Sequence, residues 1–259
     1  MMGKGHAVSG AAAWIAVTST APLALGVEPL PAQSVLIGAL VTAGAALLPD
    51  VDHHSGTIAR SGGIVTRGVA AAAGAASGGH RHGLHSLLAI AAFTVATMFA
   101  ASFESTVPVL GLIPAGSALI LLALVAFATK ALKLQRGGMI KLWATSLLAT
   151  VAVLWFAPAE LEWLPMSVML GVIVHLAGDF ITTGGLPLLW PWIPKPPRAL
   201  GNVPVLNRVW QRNGYIAVPV LGNTGSVREW ILVTALSAYA AYGLIFSASS
   251  LLGLGLLGA

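Results

Sequence analysis

Long apolar stretches separated by short polar segments dominate the pattern along the chain. A helix needs about 20 residues to cross a hydrocarbon core of about 30 Å. Seven stretches come close to that length, and each is predicted to be a transmembrane helix: 7–27, 32–49, 85–103, 107–129, 139–157, 163–184 and 230–251. The pattern therefore predicts an all-α fold, a polytopic transmembrane helical bundle of about seven spans, formed as one membrane-embedded domain over residues 1–259.

The composition agrees with a membrane environment and excludes two other classes of protein. Hydrophobic residues make up 57% of the chain and charged residues 8%, whereas roughly a quarter of the residues in an average soluble domain are charged. A soluble globule could not cover its surface with so few charges, and a disordered chain is poor in apolar residues. The chain has no cysteine, so any bound metal must be held by nitrogen and oxygen ligands.

The basic residues predict the orientation in the membrane. When seven spans are threaded, all 13 Lys and Arg residues fall on the side of the N-terminus or at its membrane boundary. The charged residues on the other side are all acidic: Glu28, Glu104, Glu160 and Glu162. The positive-inside rule then predicts a multi-pass membrane protein with a cytoplasmic N-terminus and an external C-terminus. The net charge of +5 follows from this topology, so no nucleic-acid partner is expected.

Two long connections, 50–84 and 185–229, are predicted on the cytoplasmic side. The first contains a Gly- and Ala-rich stretch, 64–76, that favours a short helix, either lying on the bundle or dipping into it. The second begins with Trp and Pro residues typical of a membrane interface, and its Asn213-Gly214 pair is a turn signal. We predict that the second connection forms a small, irregular, hairpin-like cap on the cytoplasmic face.

All seven histidines and all three aspartates lie in four short segments. The segments are His6, 50–54, 80–86 and 175–179. Each lies where a predicted span begins or ends on the cytoplasmic side, so segments distant in sequence can meet at one depth just inside the membrane boundary. Ionisable residues at membrane depth are costly and are typical of functional sites.

Two spacings bear on how these side chains meet. His175 and Asp179 are four residues apart, so on a helix they share one face and can present an imidazole and a carboxylate to one ion. A His–Asp hydrogen bond that packs two helices together would need the same spacing. Asp50 and Asp52 follow a predicted helix end, where carboxylates oppose the helix dipole unless a divalent cation or Arg81 compensates them. A metal site and ordinary packing are both compatible with each pair taken alone.

Taken together, the imidazoles and carboxylates predict a metal centre. The predicted ligands are His6, Asp50, Asp52, His53, His80, His85, His175 and Asp179. This donor set suits a divalent metal, Zn²⁺ best with Mn²⁺ and Fe²⁺ as alternatives, and the surplus of ligands permits one or two ions. The metal would lower the pKa of a bound water, an Asp would accept its proton, and Arg81 would stabilise a developing oxyanion or a phosphate. The catalytic candidates are Asp50, Arg81 and Ser86, and which Asp is base rather than ligand stays open.

At these residues the chain resembles a known family, the LexA-regulated, membrane-bound metal-dependent hydrolases of bacterial inner membranes. The matching motifs are His6-x-x-x-Gly10, Leu48-Pro49-Asp50-Val51-Asp52-His53, His80-Arg81-x-x-x-His85-Ser86, His175-Leu176-x-Gly178-Asp179 with Thr182-Thr183-Gly184-Gly185, and Gly225-Ser226-x-x-Glu229. One departure is His82-Gly83-Leu84, where the family more usually has glycine directly after the arginine. The resemblance spans nearly the whole chain and implies a metal-dependent hydrolase, but it names no substrate.

Three functions fit the sequence. The first is a metal-dependent hydrolase acting on a membrane lipid or a small amphiphilic substrate. The second is an ion- or proton-coupled transporter, which would need polar residues along a whole path, and the far halves of the predicted spans offer almost none beyond Ser and Thr. The third is a non-catalytic membrane protein whose structural metal joins helix ends. Ser226 and Glu229 are better explained as the N-terminal cap of the last span than as catalytic residues.

Overall fold

Helices built from apolar, Ala- and Gly-rich segments make up most of the fold. The computed structural model describes residues 1–108, 111–198 and 203–254, without the side chains of 158–160. Within those residues the α-helices are α1 (Gly3–Thr18), α2 (Ala32–Ala45), α3 (Gly63–Ser77), α4 (Leu87–Ala101), α5 (Ala115–Ala131), α6 (Met139–Phe156), α7 (Leu164–Phe180), α8 (Pro204–Val209) and α9 (Val227–Leu251). Short 3₁₀ helices occupy Leu48–Asp52, Gly83–His85 and Pro158–Trp163, and the strands β1 (Ser105–Val107) and β2 (Gly111–Ile113) pair antiparallel. The predominantly helical fold predicted from the sequence is confirmed.

The centre of the bundle is formed by α1, α2 and α7, with α5 and α9 packed around them. Glycines let these helices approach closely, as is common between membrane helices. A methyl group on Gly10 of α1 would lie 2.6 Å from the Thr42 carbonyl oxygen of α2, and one on Gly171 of α7 would lie 2.6 Å from the Ala45 side chain. A side chain at either position would push two helices apart, so the packing of α1 and α7 against α2 depends on these glycines.

Among the residues that the structure describes, four helices, with their 3₁₀ extensions included, are long and apolar enough to cross a membrane. They are Ala32–Asp52, Met139–Phe156, Leu161–Phe180 and Val227–Leu251. The apolar helices α4 and α5 have 15 and 17 residues, fewer than the ~20 that a perpendicular span needs. The described residues therefore support a multi-pass helical membrane protein, but the predicted count of about seven spans is not supported.

Local turns explain why two predicted spans are shorter in the structure. The first was predicted over 7–27, but its helix ends at Thr18, and the chain folds back so that the Leu30 amide donates to the Thr18 carbonyl at 2.9 Å. The fourth begins only at Ala115, because the β1–β2 hairpin precedes it. A hydropathy average does not register such turns, since their residues are nearly as apolar as those of a span.

The connection between α7 and α9 forms the small irregular cap that the sequence predicts. In its described part the one helix is α8, and an isolated antiparallel bridge joins Leu186 to Ile216. The Asn213-Gly214 turn is confirmed, because Gly214 has a φ of 91° and the Asn213 side chain accepts the Tyr215 amide at 3.0 Å. The cap lies over the end of α7, where two predicted ligands are located.

Contacts between helix ends define one end of the bundle, called the polar end below. It comprises the starts of α1, α4, α6 and α9 and the ends of α2, α5 and α7. There the Lys130 amine contacts the Arg60 carbonyl, and the Trp143 indole donates to the Ser61 carbonyl at 2.7 Å. The opposite end, called the far end, carries the turn after α1 and the β1–β2 hairpin. Basic side chains from separate connections thus share the polar end.

Candidate metal centre

Four helix ends bring the histidines and aspartates of the four sequence segments together at the polar end. In three groups, the donor atoms all lie within 4.8 Å of one another. The groups are His6–His175–Asp179, Asp50–His85–His175 and Asp52–His80–His85. Because His85 and His175 each belong to two groups, the three form one continuous cluster. The predicted convergence of these side chains is therefore present.

Close packing between α7 and α2 sets the position of His175. Gly171, one turn earlier on α7, lies against Ala45 and leaves no room for a side chain. The buried imidazole therefore reaches the end of α2, where its Nδ1 atom lies 2.7 Å from the Ala46 carbonyl oxygen. A carbonyl acceptor requires a proton on Nδ1, so in the neutral ring the Nε2 lone pair is left for the cluster.

Three donor atoms lie close enough to His175 Nε2 to share a metal ion with it. The His175 Nε2 atom lies 3.3 Å from His85 Nε2, 3.8 Å from Asp50 Oδ1 and 3.8 Å from Asp179 Oδ2. His85 Nε2 lies 3.6 Å from Asp50 Oδ1 and 3.9 Å from Asp179 Oδ2. Metal–ligand bonds of about 2.0–2.1 Å at tetrahedral angles separate ligand atoms by about 3.3–3.4 Å. The two imidazoles together with either carboxylate oxygen therefore have nearly the spacing of three ligands of one ion.

A second group surrounds Asp52 on the other side of His85. The His80 Nδ1 atom lies 2.9 Å from Asp52 Oδ1, and His85 Nδ1 lies 3.8 Å from Asp52 Oδ2. Within the described part of the chain, neither His85 Nδ1 nor Asp52 Oδ2 has a hydrogen-bond partner, although both are buried. Such atoms are uncommon. A second ion would satisfy them, and so would a small shift that lets His85 donate to Asp52, the arrangement that orients many metal-binding histidines.

The third group places His6 against the ring of His175. Both rings are fully buried and stack with their centres 3.7 Å apart. His6 Nε2 lies 3.3 Å from Asp179 Oδ1 without the alignment of a hydrogen bond, and neither nitrogen of His6 has a hydrogen-bond partner among the described residues. Gly178 makes room for this ring, because a methyl group there would lie 3.3 Å from it. His6 thus contributes another unsatisfied donor to the cluster.

The Arg81 side chain is paired with the cluster through Asp179. Its Nη2 atom lies 3.0 Å from Asp179 Oδ2, and the Met1 amine contacts the other carboxylate oxygen. Arg81 has a left-handed φ of 59°, which is uncommon outside glycine, and its carbonyl accepts the Tyr215 hydroxyl at 2.9 Å. A methyl group on Gly184 would lie 1.8 Å from Arg81 Nη1. Tyr215 and Gly184 of the cap therefore allow the guanidinium to reach Asp179.

A cavity of about 500 Å³ opens onto the cluster. Its lining consists of Met1, Gly3, Asp50, His53, Ser55, Gly56, Thr57, His80, Arg81, Thr183, Gly184 and Thr224. Asp50 and Arg81 are reachable from this cavity, whereas His85 and His175 are fully buried behind it. A molecule in the cavity can therefore contact a carboxylate and a guanidinium at the same time.

His53 lies at the cavity wall and belongs to none of the three donor groups. Its ring centre lies 4.4 Å from that of His80, and its Nδ1 atom lies 3.1 Å from the Ser55 hydroxyl. Partial burial, and after it the neighbouring His80, lower the pKa of His53 below its usual value. The lowered pKa favours the neutral ring that a metal ligand needs, but binding through His53 stays a prediction.

Ser86 occupies the N-cap position of α4, where its buried hydroxyl donates to the Gly83 carbonyl at 2.7 Å. It does not line the cavity, so its catalytic role stays a prediction. His54 and His82 also lie beside the cluster rather than within a donor group. His82 directs its Nδ1 atom at the His80 carbonyl, 3.2 Å away.

Sequence reasoning does not identify several residues that support the cluster. The Ala46 carbonyl and the Tyr215 hydroxyl carry no metal-binding signal of their own. Their roles come from contacts across the chain, since 129 residues separate Ala46 from His175 and 134 separate Tyr215 from Arg81. Gly184 is different, because the Gly184-Gly185 pair in the sequence already indicates a segment that other groups can approach closely.

The buried Glu229 forms the cap of α9 that the sequence predicts. The Ser226 hydroxyl accepts the Glu229 amide at 3.2 Å, and Glu229 Oε2 accepts the Gly225 amide at 2.7 Å. The other carboxylate oxygen accepts the Met2 amide at 2.6 Å. The cap therefore also ties α9 to the start of α1, one turn before His6.

Comparison with known proteins identifies a family. The family model described as "YdjM inner membrane protein" matches residues 1–250. No curated protein and no solved structure matches the chain. The family match supports the membrane-bound family indicated by the sequence motifs, but it supports neither regulation by LexA nor hydrolysis.

Proposed function

The chain belongs to the YdjM inner membrane protein family, and we propose that it is a membrane-bound metal-dependent hydrolase. One or two divalent ions bind in the His/Asp cluster. The substrate is a membrane lipid or another amphiphile whose reacting group fits the cavity of about 500 Å³. The polar end of the bundle faces the cytoplasm, following the positive-inside rule.

One observation supports this proposal more than any other: the Nε2 atoms of His85 and His175 lie 3.3 Å apart and 3.6–3.9 Å from carboxylate oxygens of Asp50 and Asp179, beside an open cavity. A structural ion is enclosed by protein ligands, whereas a catalytic ion keeps a position open to water or substrate. Asp50 is both a member of the donor set and part of the cavity wall. The donor set therefore has an open side.

Charge balance distinguishes the two carboxylates of the donor set. Asp179 is already paired with Arg81. The described ionic partners of Asp50 are the imidazoles of His85 and His175, and His175 gives its one proton to a carbonyl. Neither imidazole carries the permanent charge of a guanidinium, so these partners give Asp50 no fixed compensating charge. A divalent ion beside Asp50 would supply it.

The side chains can divide the work as follows. His85 and His175, with Asp50 and Asp179, would hold the ion, which when bound would supply Lewis acidity and lower the pKa of a nearby water to about 7. Asp50 can accept a proton at the cavity wall, whereas both oxygens of Asp179 already face other groups. Arg81 lines the cavity, so its guanidinium can stabilise negative charge on a substrate oxygen there.

The Asp52–His80–His85 group is the second position of the proposal. With two ions bound, it would hold the second one. With one ion bound, Asp52 would orient His85 through its Nδ1 atom. Imidazole and carboxylate ligands suit Zn²⁺, Mn²⁺ or Fe²⁺ at either position.

The metal is tested by elemental analysis of protein purified in lipid nanodiscs. We expect at least one equivalent of a transition metal per chain in the wild type, and loss of the ion held by His85 and His175 in His175→Ala. The matched control is His54→Ala, a histidine outside the three donor groups. Unchanged metal content in His175→Ala would contradict the assignment of the ligands.

Hydrolysis is tested with a panel of amphiphiles that carry carboxylic ester, phosphomonoester or phosphodiester bonds. We expect turnover of one class, its loss in EDTA, and its recovery when Zn²⁺ or Mn²⁺ is restored. Asp50→Asn should lower the rate. Turnover that persists in metal-free protein would exclude a metal-dependent reaction.

A structural ion is the second candidate function of the cluster. The observation that favours it is the complete burial of the His6–His175–Asp179 group. An ion enclosed there would raise the thermal stability but would exchange slowly and would support no turnover of any substrate class. Slow metal exchange together with an inactive panel would favour this candidate over the hydrolase.

A further inference from the structure

Helix α3 presents an apolar surface that no described part of the chain covers. Ile64, Val65 and Val69 are 88%, 74% and 52% exposed, and most of the residues that follow on the same face are exposed alanines. Exposure of such a face to water is unfavourable. Exposed apolar patches of this kind are typical of surfaces that contact a protein or a membrane. Because several exposed apolar residues share this face, it is a continuous surface and not a single exposed side chain.

The opposite face of α3 is narrow and made of small side chains. Thr66, Ala70 and Ser77 are buried, and they recur at the helical period. This stripe packs on the 3₁₀ helix Leu48–Asp52, and a methyl group on Gly74 would lie 3.3 Å from the Asp52 carbonyl. Helix α3 is therefore the outer wall of the segment that carries two predicted metal ligands.

Both ends of α3 are attached to helices that face the membrane. Before its start, the Ser61 carbonyl accepts the indole of Trp143 from the candidate span α6. After its end, a methyl group on Gly83 would lie 3.2 Å from the Ser77 carbonyl, close to the start of the apolar helix α4. The first turn of α6 carries Ile140, which is 83% exposed. The apolar face of α3 thus continues the lipid-facing surface of its neighbours.

The one charge on α3 lies where an interfacial helix needs it. Arg67 follows the buried Thr66 directly, so it lies about 100° around the helix, on the flank between the buried stripe and the apolar face. Fifteen residues extend about 22 Å, too short for a span. A short helix with one apolar face and a cation at its edge is typical of a helix in the plane of the membrane surface, with the cation close to lipid phosphates.

We propose that α3 lies in the boundary between headgroups and acyl chains, with Ile64, Val65 and Val69 in contact with the acyl chains of bilayer lipids. This position makes α3 the lipid-side wall of the Asp50–Asp52 segment. It goes beyond the proposed hydrolase function and does not depend on it, because the same position would hold for a structural metal.

The absence of cysteine from the chain permits a direct test with single-cysteine variants. Ile64→Cys and Val69→Cys are labelled with a bimane fluorophore in nanodiscs of phosphatidylcholine and phosphatidylglycerol. Two quenchers are compared, acyl chains brominated at a shallow position and aqueous iodide. Ile140→Cys on α6 is the control for lipid contact, and Lys195→Cys, an exposed charged position in the cap, is the control for water contact.

We expect brominated lipid to quench Ile64→Cys and Val69→Cys at least half as strongly as Ile140→Cys, and iodide to quench them several-fold less than Lys195→Cys. Iodide quenching equal to that of Lys195→Cys would place α3 in water and overturn the proposal. Protection from both quenchers would mean that a protein surface covers the face, which also overturns it. None of these readouts involves bound metal or hydrolysis, so failure here leaves the proposed function unaffected, and the reverse also holds.

Discussion

The two ends of the bundle differ in the burial of their acidic side chains. At the far end, Glu28 and Glu162 are exposed at the rim of a cavity of about 380 Å³. At the polar end, Asp52 and Asp179 are buried among imidazoles. An exposed carboxylate is hydrated and needs no partner, whereas a buried one must be compensated. Both ends contain acids and a cavity, but among the described residues the grouped imidazoles and carboxylates that could hold a metal ion lie at the polar end.

The largest expected difference between the ends is in metal affinity. His85 supplies atoms to two donor groups, so His85→Ala should lower the affinity for Zn²⁺ by more than about 100-fold, beyond the effect of losing an outer partner of a ligand. Glu162→Gln at the far end should leave it unchanged. Competition with a chromophoric chelator measures both variants. Equal affinities for Zn²⁺ in His85→Ala and Glu162→Gln would contradict the proposed difference between the two ends.

The next largest expected effect is on stability and concerns Arg81, whose positive charge compensates the carboxylate of Asp179. Arg81→Ala leaves a buried carboxylate without its guanidinium, and loss of such a partner costs about 3–5 kcal/mol when the pair is fully buried. Because the Arg81 side chain is 22% exposed, we expect a loss of about 2–3 kcal/mol in the free energy of unfolding of metal-free protein. The loss should be smaller with Zn²⁺ bound, because the ion also compensates Asp179.

Denaturant titrations in detergent, with and without Zn²⁺, test this expectation. Arg81→Lys is the control, since it keeps the charge while losing the forked geometry. An equal loss of stability in both metal states would show that Arg81 and the ion do not share Asp179.

A third, smaller effect separates the two groups around His85. Asp52→Asn keeps the shape of the side chain but removes the negative charge that faces His80 and His85. We expect the affinity for the first ion to fall by about 10–100-fold, the range typical of partners that orient a ligand. Isothermal titration with Zn²⁺ measures the change, and an affinity equal to that of the wild type would rule out an orienting role for Asp52.

The sequence was sufficient to predict much of the polar end. The helical spacing of His175 and Asp179 and the position of Asp50 after a span placed these donors at one depth. The contacts that orient them could not be predicted, because the acceptor for His175 is the backbone carbonyl of Ala46, a group that every residue carries. The left-handed φ of Arg81 could not be predicted either, and the hydroxyl that its carbonyl accepts comes from Tyr215 in the distant cap.

Prediction was weaker at the far end for a physical reason. Hydropathy reports whether a segment prefers lipid, but it does not report where a helix ends. The segment after Thr18 folds back on α1, and the hairpin before Ala115 includes the apolar residues Val107, Leu112 and Ile113. By hydropathy, both segments were predicted to be parts of transmembrane helices. The predicted count of about seven spans included the two helices that they lengthened.

The smallest expected effect is confined to stability. Ser226→Ala removes the hydroxyl that accepts the Glu229 amide at the start of α9, and loss of such a cap costs about 1 kcal/mol. Metal affinity should not change, because neither residue belongs to a donor group. Thermal melting together with chelator competition tests the variant. A fall in affinity of tenfold or more would extend the metal centre to the α9 cap.

X-ray absorption spectroscopy of the purified protein in nanodiscs tests the central claim most directly. The account predicts a bound first-row metal with nitrogen and oxygen ligands at about 2.0–2.1 Å and the outer-shell scattering of two imidazoles, from His85 and His175. Protein that folds and inserts but binds no metal after incubation with Zn²⁺, Mn²⁺ and Fe²⁺, or a bound metal without imidazole scattering, would contradict it.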